Sequence, residues 1–209
     1  MKRTVVKARA FELVDDDGNI RARLGLGNDD SPFLSLHDPD GRVRARFGLD
    51  ASGAAGLAIG DEEGKVRATL GLATDGSSSL ALGDKNGKIR AKFGLAAEGS
   101  PTLGLQHRDG ETRFVFSIAQ QGSPTLSLQD EDGKARARLG LAAEGSPVLR
   151  LLDKEGELRV LLGLASDGTP VLQFVKDNEA TWSADGAVAV PESEPAEAPE
   201  AAVGTEPQS

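Results

Sequence analysis

Apolar and polar residues alternate along most of this chain, in short runs punctuated by glycine. In Gly41-Arg42-Val43-Arg44-Ala45-Arg46-Phe47-Gly48-Leu49, the residues Val43, Ala45, Phe47 and Leu49 fall on one side of an extended backbone, and Arg42, Arg44 and Arg46 on the other. A period of two is the mark of a strand with one buried face. A shorter run follows each long one, as in Thr102-Leu103-Gly104-Leu105 or Thr125-Leu126-Ser127-Leu128, and its two leucines continue the expected inner face.

The runs recur at a fixed step. Gly18, Gly41, Gly64, Gly87, Gly110, Gly133 and Gly156 are each 23 residues apart. Three residues after each comes an arginine: Arg21, Arg44, Arg67, Arg90, Arg113, Arg136 and Arg159. Three residues before each stands Asp15, Asp38, Asp61, Asp84, His107, Asp130 or Asp153. A second glycine follows at Gly53, Gly76, Gly99, Gly122, Gly145 and Gly168, with Asp30 in that place in the first repeat. Leu13 matches Leu36, and Leu172 matches Leu149, so the phase runs past both ends. At the far end Glu179 replaces the glycine and Trp182 the arginine. Terminal repeats change because they close an exposed end.

Each repeat is predicted to hold two strands and two turns. In Asp38-Pro39-Asp40-Gly41, Pro presets φ, Asp caps its own turn and Gly accepts a positive φ. A four-residue loop sets Leu36 opposite Val43 and Leu34 opposite Ala45, whereas a loop one residue shorter sets Leu36 against Arg44 and mixes the faces. The second turn, Ala96-Ala97-Glu98-Gly99-Ser100-Pro101, suits a type I turn closed by a left-handed glycine. Pro101, Pro124, Pro147 and Pro170 then open the short strands, where a missing N–H is tolerated. In the fifth repeat Phe114 and Phe116 stay on the apolar face although most residues around them differ.

The fold class is therefore all-β, with tandem 23-residue repeats forming an elongated body over residues 1–182. The repeats run from about Gly18, with a half repeat before them and a cap near Trp182. A long one-faced apolar sheet must be covered. Two assemblies do this: a β-solenoid with parallel rungs, or a ribbon of antiparallel β-hairpins that curls or pairs. The strict step suits the solenoid. The turn chemistry suits the ribbon, which also separates arginines that a solenoid would stack about 4.8 Å apart.

The 23-residue step is that of MORN repeats, and the Asp-x-x-Gly-[Lys/Arg] turn is similar to YD repeats. Both families depend on Tyr, of which this sequence has none, so neither is assigned.

Composition sharpens this picture. The 26 glycines against 4% aromatic residues indicate many turns and a thin core. The formal charge is −9, but Asp185, Glu192, Glu194, Glu197, Glu200 and Glu206 lie beyond Trp182 without a cation among them. Residues 183–209 are rich in Ala, Glu and Pro, and a disordered tail is expected there. With no Cys, no disulfide or thiol chemistry is available. The charged start and the lack of a long apolar run lead to the expectation of a cytoplasmic protein that does not span a membrane.

No convergent set of acid, base and nucleophile is visible, and no phosphate loop or nucleophile elbow, so an enzyme is not expected. Acidic turns such as Asp130-Glu131-Asp132-Gly133 offer too few oxygens at calcium-loop spacing, and turn capping is the reading preferred over metal. His37 and His107 stand at different phases and make no pair. Gly48, Gly71, Gly94 and Gly140 interrupt strands, which indicates close backbone approach rather than a ligand groove. No cofactor is expected. The seven arginines Arg21, Arg44, Arg67, Arg90, Arg113, Arg136 and Arg159 form the candidate binding face. The lack of stacking aromatics and the acidic turns beside them argue against nucleic acid. The expected function is a non-enzymatic structural scaffold that assembles end to end with itself or with a protein partner. The alternative is a multivalent module binding a protein, a polysaccharide or an anionic polymer.

Overall fold

A computed structural model describes residues 5–142, 144–177 and 179–184. All regular structure among them is strand, and no helix there is long and apolar enough to cross a membrane. The expected disorder of 183–209 falls almost wholly outside the described residues.

The strands are β1 (Ala10–Val14), β2 (Ile20–Leu26), β3 (Pro32–His37) and β4 (Val43–Leu49). Then come β5 (Ala55–Gly60), β6 (Val66–Leu72), β7 (Ser78–Gly83) and β8 (Ile89–Leu95). The chain continues with β9 (Pro101–Gln106), β10 (Thr112–Ile118), β11 (Pro124–Gln129) and β12 (Ala135–Leu141). It ends with β13 (Pro147–Leu152), β14 (Leu158–Leu164), β15 (Pro170–Lys176) and β16 (Glu179–Ser183). They follow one another in a single sheet in chain order, and the sheet does not close. Neighbours run antiparallel, as in the hairpin ribbon. The chain divides into two compact parts, Met1–Arg90 and Ala91–Ser209.

Every turn is closed by a residue in the left-handed region. Gly41 has φ 80° and Gly99 φ 91°, and Asp30, in the glycine's place, has φ 62°. Both turn types share one geometry. The glycine N–H donates to the carbonyl three residues back, as Gly41 does to Asp38 at 3.0 Å and Gly99 to Ala96 at 2.8 Å. The opening residue donates four residues ahead, as Asp38 does to the Arg42 carbonyl at 3.0 Å. The first loop is thus one residue shorter than the sequence suggested.

A β-bulge then restores the phase. His37 pairs with Val43, but Leu36 pairs with Ala45 and Leu34 with Phe47, leaving Arg44 unpaired between them. The expected pairs Leu36–Val43 and Leu34–Ala45 do not form. The short loop keeps the tight turn, and the extra residue keeps the leucines on their face. The same skip recurs at Arg21, Arg67, Arg113, Arg136 and Arg159. The second turn needs no bulge: Leu95 pairs with Pro101 and Phe93 with Leu103. The last connection is tighter still. Lys176 pairs with Glu179, and Asp177 takes φ 54°.

The inner face is the reverse of the expected one. Many Leu and Phe side chains of that face stay exposed, with Leu34 at 42%, Phe47 at 58% and Leu70 at 54%, and others such as Leu57, Leu103 and Leu126 are half-buried. The opposite face is the buried one: Ser35, Ser117, Ser127, Val115 and Ala81 lie on it. Small residues there sit between long ones. Ser35 pairs with Arg23 on one side and Arg46 on the other, and both guanidiniums lie over the Phe33 ring, at 5.8 and 4.3 Å. Arginine stems cover apolar surface while their heads stay wet. In the second part Leu161 stands where Arg46 and Arg138 stand in other repeats. It forms the buried cluster with Val148 and Val171.

Candidate functional site

The bulge decides what the repeat arginines do. Released from the ladder, Arg67 reaches back to its own turn, donating from Nη1 to Asp61 Oδ2 at 3.2 Å. It also reaches across to the neighbouring strand β7, donating from Nε to the Gly83 carbonyl at 3.0 Å. Arg136 makes the same two contacts, to Asp130 at 3.3 Å and to the Leu152 carbonyl at 3.1 Å. Arg44 donates to the Gly60 carbonyl at 3.0 Å, with Asp38 4.0 Å away. Arg21 lies 3.6 Å from Asp15 and 3.4 Å from the His37 carbonyl. Arg90 engages Asp84 through Nε and Nη2, and Arg159 engages Asp153 and Glu157.

The fifth repeat shows the same device with a different residue. His107 replaces the turn aspartate, and Arg113 turns to Asp109 at 2.5 Å while still donating to the Asp130 carbonyl at 2.9 Å. His107 Nδ1 lies 2.9 Å from the same Asp109 carboxylate. All seven arginines of the candidate face therefore contact a turn carboxylate. The sequence showed the turn residue and the Arg of each repeat, but not the carbonyl acceptor on the neighbouring strand.

The turn aspartates cap their own loops. Asp61 Oδ1 accepts the N–H of Glu63 and of Lys65, each at 3.0 Å. Burial raises the Asp61 pKa, but the Lys65 N–H, Arg67 and the Glu63 N–H together bring it below the ordinary value. Asp84, Asp130 and Asp153 show the same balance. At Asp15 the leading cause of the lowering is the Asn19 N–H, and at Asp109 it is the His107 side chain. Carboxylates that accept several donors favour the charged form. No group of three or more His, Asp or Glu placed to hold a metal ion occurs among the described residues. His37 bridges Ser35 Oγ at 2.8 Å and the Gly41 carbonyl at 3.2 Å. Trp182, on the last strand, lies against Phe174, with ring centroids 5.3 Å apart.

The other face carries a ladder of large apolar side chains. In the first part, register aligns Phe11, Leu24, Leu34, Phe47, Leu57, Leu70 and Leu80 across β1–β7. In the second, Phe93, Leu103, Phe116, Leu126, Leu139, Leu149, Leu162 and Leu172 align across β8–β15.

No protein-family model and no curated protein sequence matches the chain. Among solved structures it is similar to the SAS-4 (dCPAP) TCP domain of Drosophila melanogaster, solved with a proline-rich motif of Ana2 (dSTIL). Identity is 11% over 84% of this chain and 96% of that one, with a TM-score of 0.47. It is also similar to the TCP10 domain of Danio rerio CPAP, at 15% identity over 83% and 99% of the two chains, with a TM-score of 0.33. The G-box domain of the microcephaly protein CPAP shares 15% identity over 78% and 97%, with a TM-score of 0.34. At these values no property of those proteins is carried to this chain.

Proposed function

We propose that the chain is a non-enzymatic scaffold that assembles end to end through its terminal strands. The observation that carries this is the pair of open edges. Among the described residues, β1 hydrogen-bonds only to β2, and β16 only to β15. Each presents a row of unpaired backbone groups, and neither contains the Pro or Lys that commonly blocks an edge. Addition of a β1 edge to a β16 edge continues the same antiparallel ladder, and a head-to-tail contact of this kind repeats without limit.

Multivalent binding through the seven arginines is the competing reading. It is the less favoured one, because a ligand would have to displace the turn carboxylates that already hold them. Electron microscopy and sizing of the purified chain over a concentration series test the proposal. Assemblies that lengthen with concentration and shorten in Glu12→Pro are expected. A species that stays monomeric at the highest concentration overturns the proposal.

A further inference from the structure

We propose that the Leu/Phe face of the first part, β1–β7, is covered by the same face of a second copy of this chain. The inference rests on the scaffold reading but concerns the flat of the sheet, not its edges.

Size comes first. Leu24, Leu34, Leu36, Phe47, Ile59, Leu70, Leu72, Leu80 and Leu82 are each 41–58% exposed, and Phe11 and Leu13 extend the patch. A full apolar side chain carries on the order of 150 Å². These eleven chains, each about half exposed, then leave roughly 800 Å² of apolar surface bare. That exceeds the 300–600 Å² or so of the largest patch on a typical monomer. It also matches the ~800 Å² per partner of a standard specific interface.

Chemistry comes next. The strand charges Glu12, Arg23 and Arg46 are off this face, since Glu12 and Arg23 pair with each other and Arg46 pairs with Ser35, and the bulged Arg44 and Arg67 are held by the turn carboxylates of Asp38 and Asp61. Two such faces meet without burying a charge.

Shape names the occupant. Beside the ladder runs a second row, Leu13, Ala22, Leu36, Ala45, Ile59, Ala68 and Leu82, again aligned by register. Large and small side chains alternate strand by strand, about 4.8 Å apart. The row is a set of knobs separated by alanine notches. A copy displaced by one strand sets its knobs into these notches, and aligned sheets pack about 10 Å apart in this way. The chain beyond the described residues does not fit the notches. Its branched aliphatics are Val188, Val190 and Val203, and it contains no Leu, Ile or Phe.

Sedimentation equilibrium of the full chain, over dilution and at two salt concentrations, is the test. The wild type should dimerise, and more tightly in high salt, because two copies of charge −9 repel and salt screens them. F47Q/L70Q should raise the dimer dissociation constant at least ten-fold. A45F/A68F adds apolar surface but fills the notches, so it too should weaken the dimer at least ten-fold. Glu12→Pro should leave this dimer intact while abolishing longer assemblies, which separates the face from the edge. Circular dichroism checks the strand content of each variant. If a double variant unfolds, Leu70→Gln alone gives the same readout at an exposed position. A wild type that stays monomeric overturns the proposal, whatever other partner the face then takes. So does an A45F/A68F variant that associates as tightly as wild type or better, which marks unspecific stickiness.

Discussion

Alanine at Gly163 would place a methyl carbon 2.5 Å from the Pro147 carbonyl oxygen and 3.2 Å from Val148 Cα. Both atoms belong to the backbone of the neighbouring strand, so neither yields by a side-chain rotation. Gly48 is similar, with Pro32 O at 2.6 Å and Phe33 Cβ at 2.9 Å. Gly71 occupies the same place in its repeat, yet the nearest atom to its added carbon is Ala55 O at 3.8 Å. The difference lies across the ladder. Gly163 faces Val148 and Gly48 faces Phe33, whereas Gly71 faces Gly56. Overpacking of this kind costs about 1–3 kcal/mol. Removing a glycine from the unfolded chain returns ~0.4–1 kcal/mol where the backbone accepts alanine. Gly163→Ala should therefore lose about 1–2 kcal/mol, and Gly71→Ala should be neutral or gain ~0.5 kcal/mol. In a chain of this length a kcal/mol moves the thermal midpoint by about 2–4 °C. Matched thermal and urea scans by circular dichroism should show Gly163→Ala about 5 °C below wild type and Gly71→Ala level with it or slightly above. A Gly163→Ala protein as stable as wild type refutes the reasoning, and so does a Gly71→Ala protein that falls as far.

Acid should destabilise the sheet within a defined window. The turn aspartates have folded pKa values below the unfolded value of about 3.9, so their contribution is complete above it and is lost as pH falls through the folded values. The thermal midpoint should be level from pH 7 to about pH 5 and drop below about pH 4; a level profile down to pH 2 contradicts the capping account. Asp61→Asn weakens the acceptor of two backbone N–H groups and of Arg67. It should cost about 1 kcal/mol in urea unfolding, and Arg67→Gln added to it should cost less than Arg67→Gln alone. Asp177→Gly replaces a non-glycine residue at φ 54° and should raise the urea midpoint by the equivalent of about 0.5–1 kcal/mol. A lower midpoint counts against strain at that turn.

Much of this architecture was legible in residue order. A left-handed turn residue admits few side chains, so the two glycine series marked the turns, and Asp30 was placed correctly by phase alone. Phe114 and Phe116 lie on the apolar face beside leucines of both neighbouring strands, as alternation required. The turn aspartates were recognisable as caps of their own loops, as when Asp38 Oδ1 accepts the Arg42 N–H at 2.9 Å. The His107 repeat also carried a signal that went unread, since Asp109 supplies the missing carboxylate beside Arg113.

What residue order determined, then, is the local grammar: strand, turn, sidedness and period, each fixed by interactions within a few residues. The tertiary structure alone decided three things. It chose the shorter loop and repaired its phase with a bulge, because backbone hydrogen bonding across two strands is satisfied jointly and not one turn at a time. It carried Arg21, Arg44, Arg67, Arg113 and Arg136 to a carbonyl sixteen or seventeen residues on, a contact that exists only once the following hairpin is paired. It also covered the face of small and cationic residues and left the leucines bare, because long arginine stems can lie over a serine or glycine row, whereas leucines pointing away from a single sheet meet nothing from their own strands.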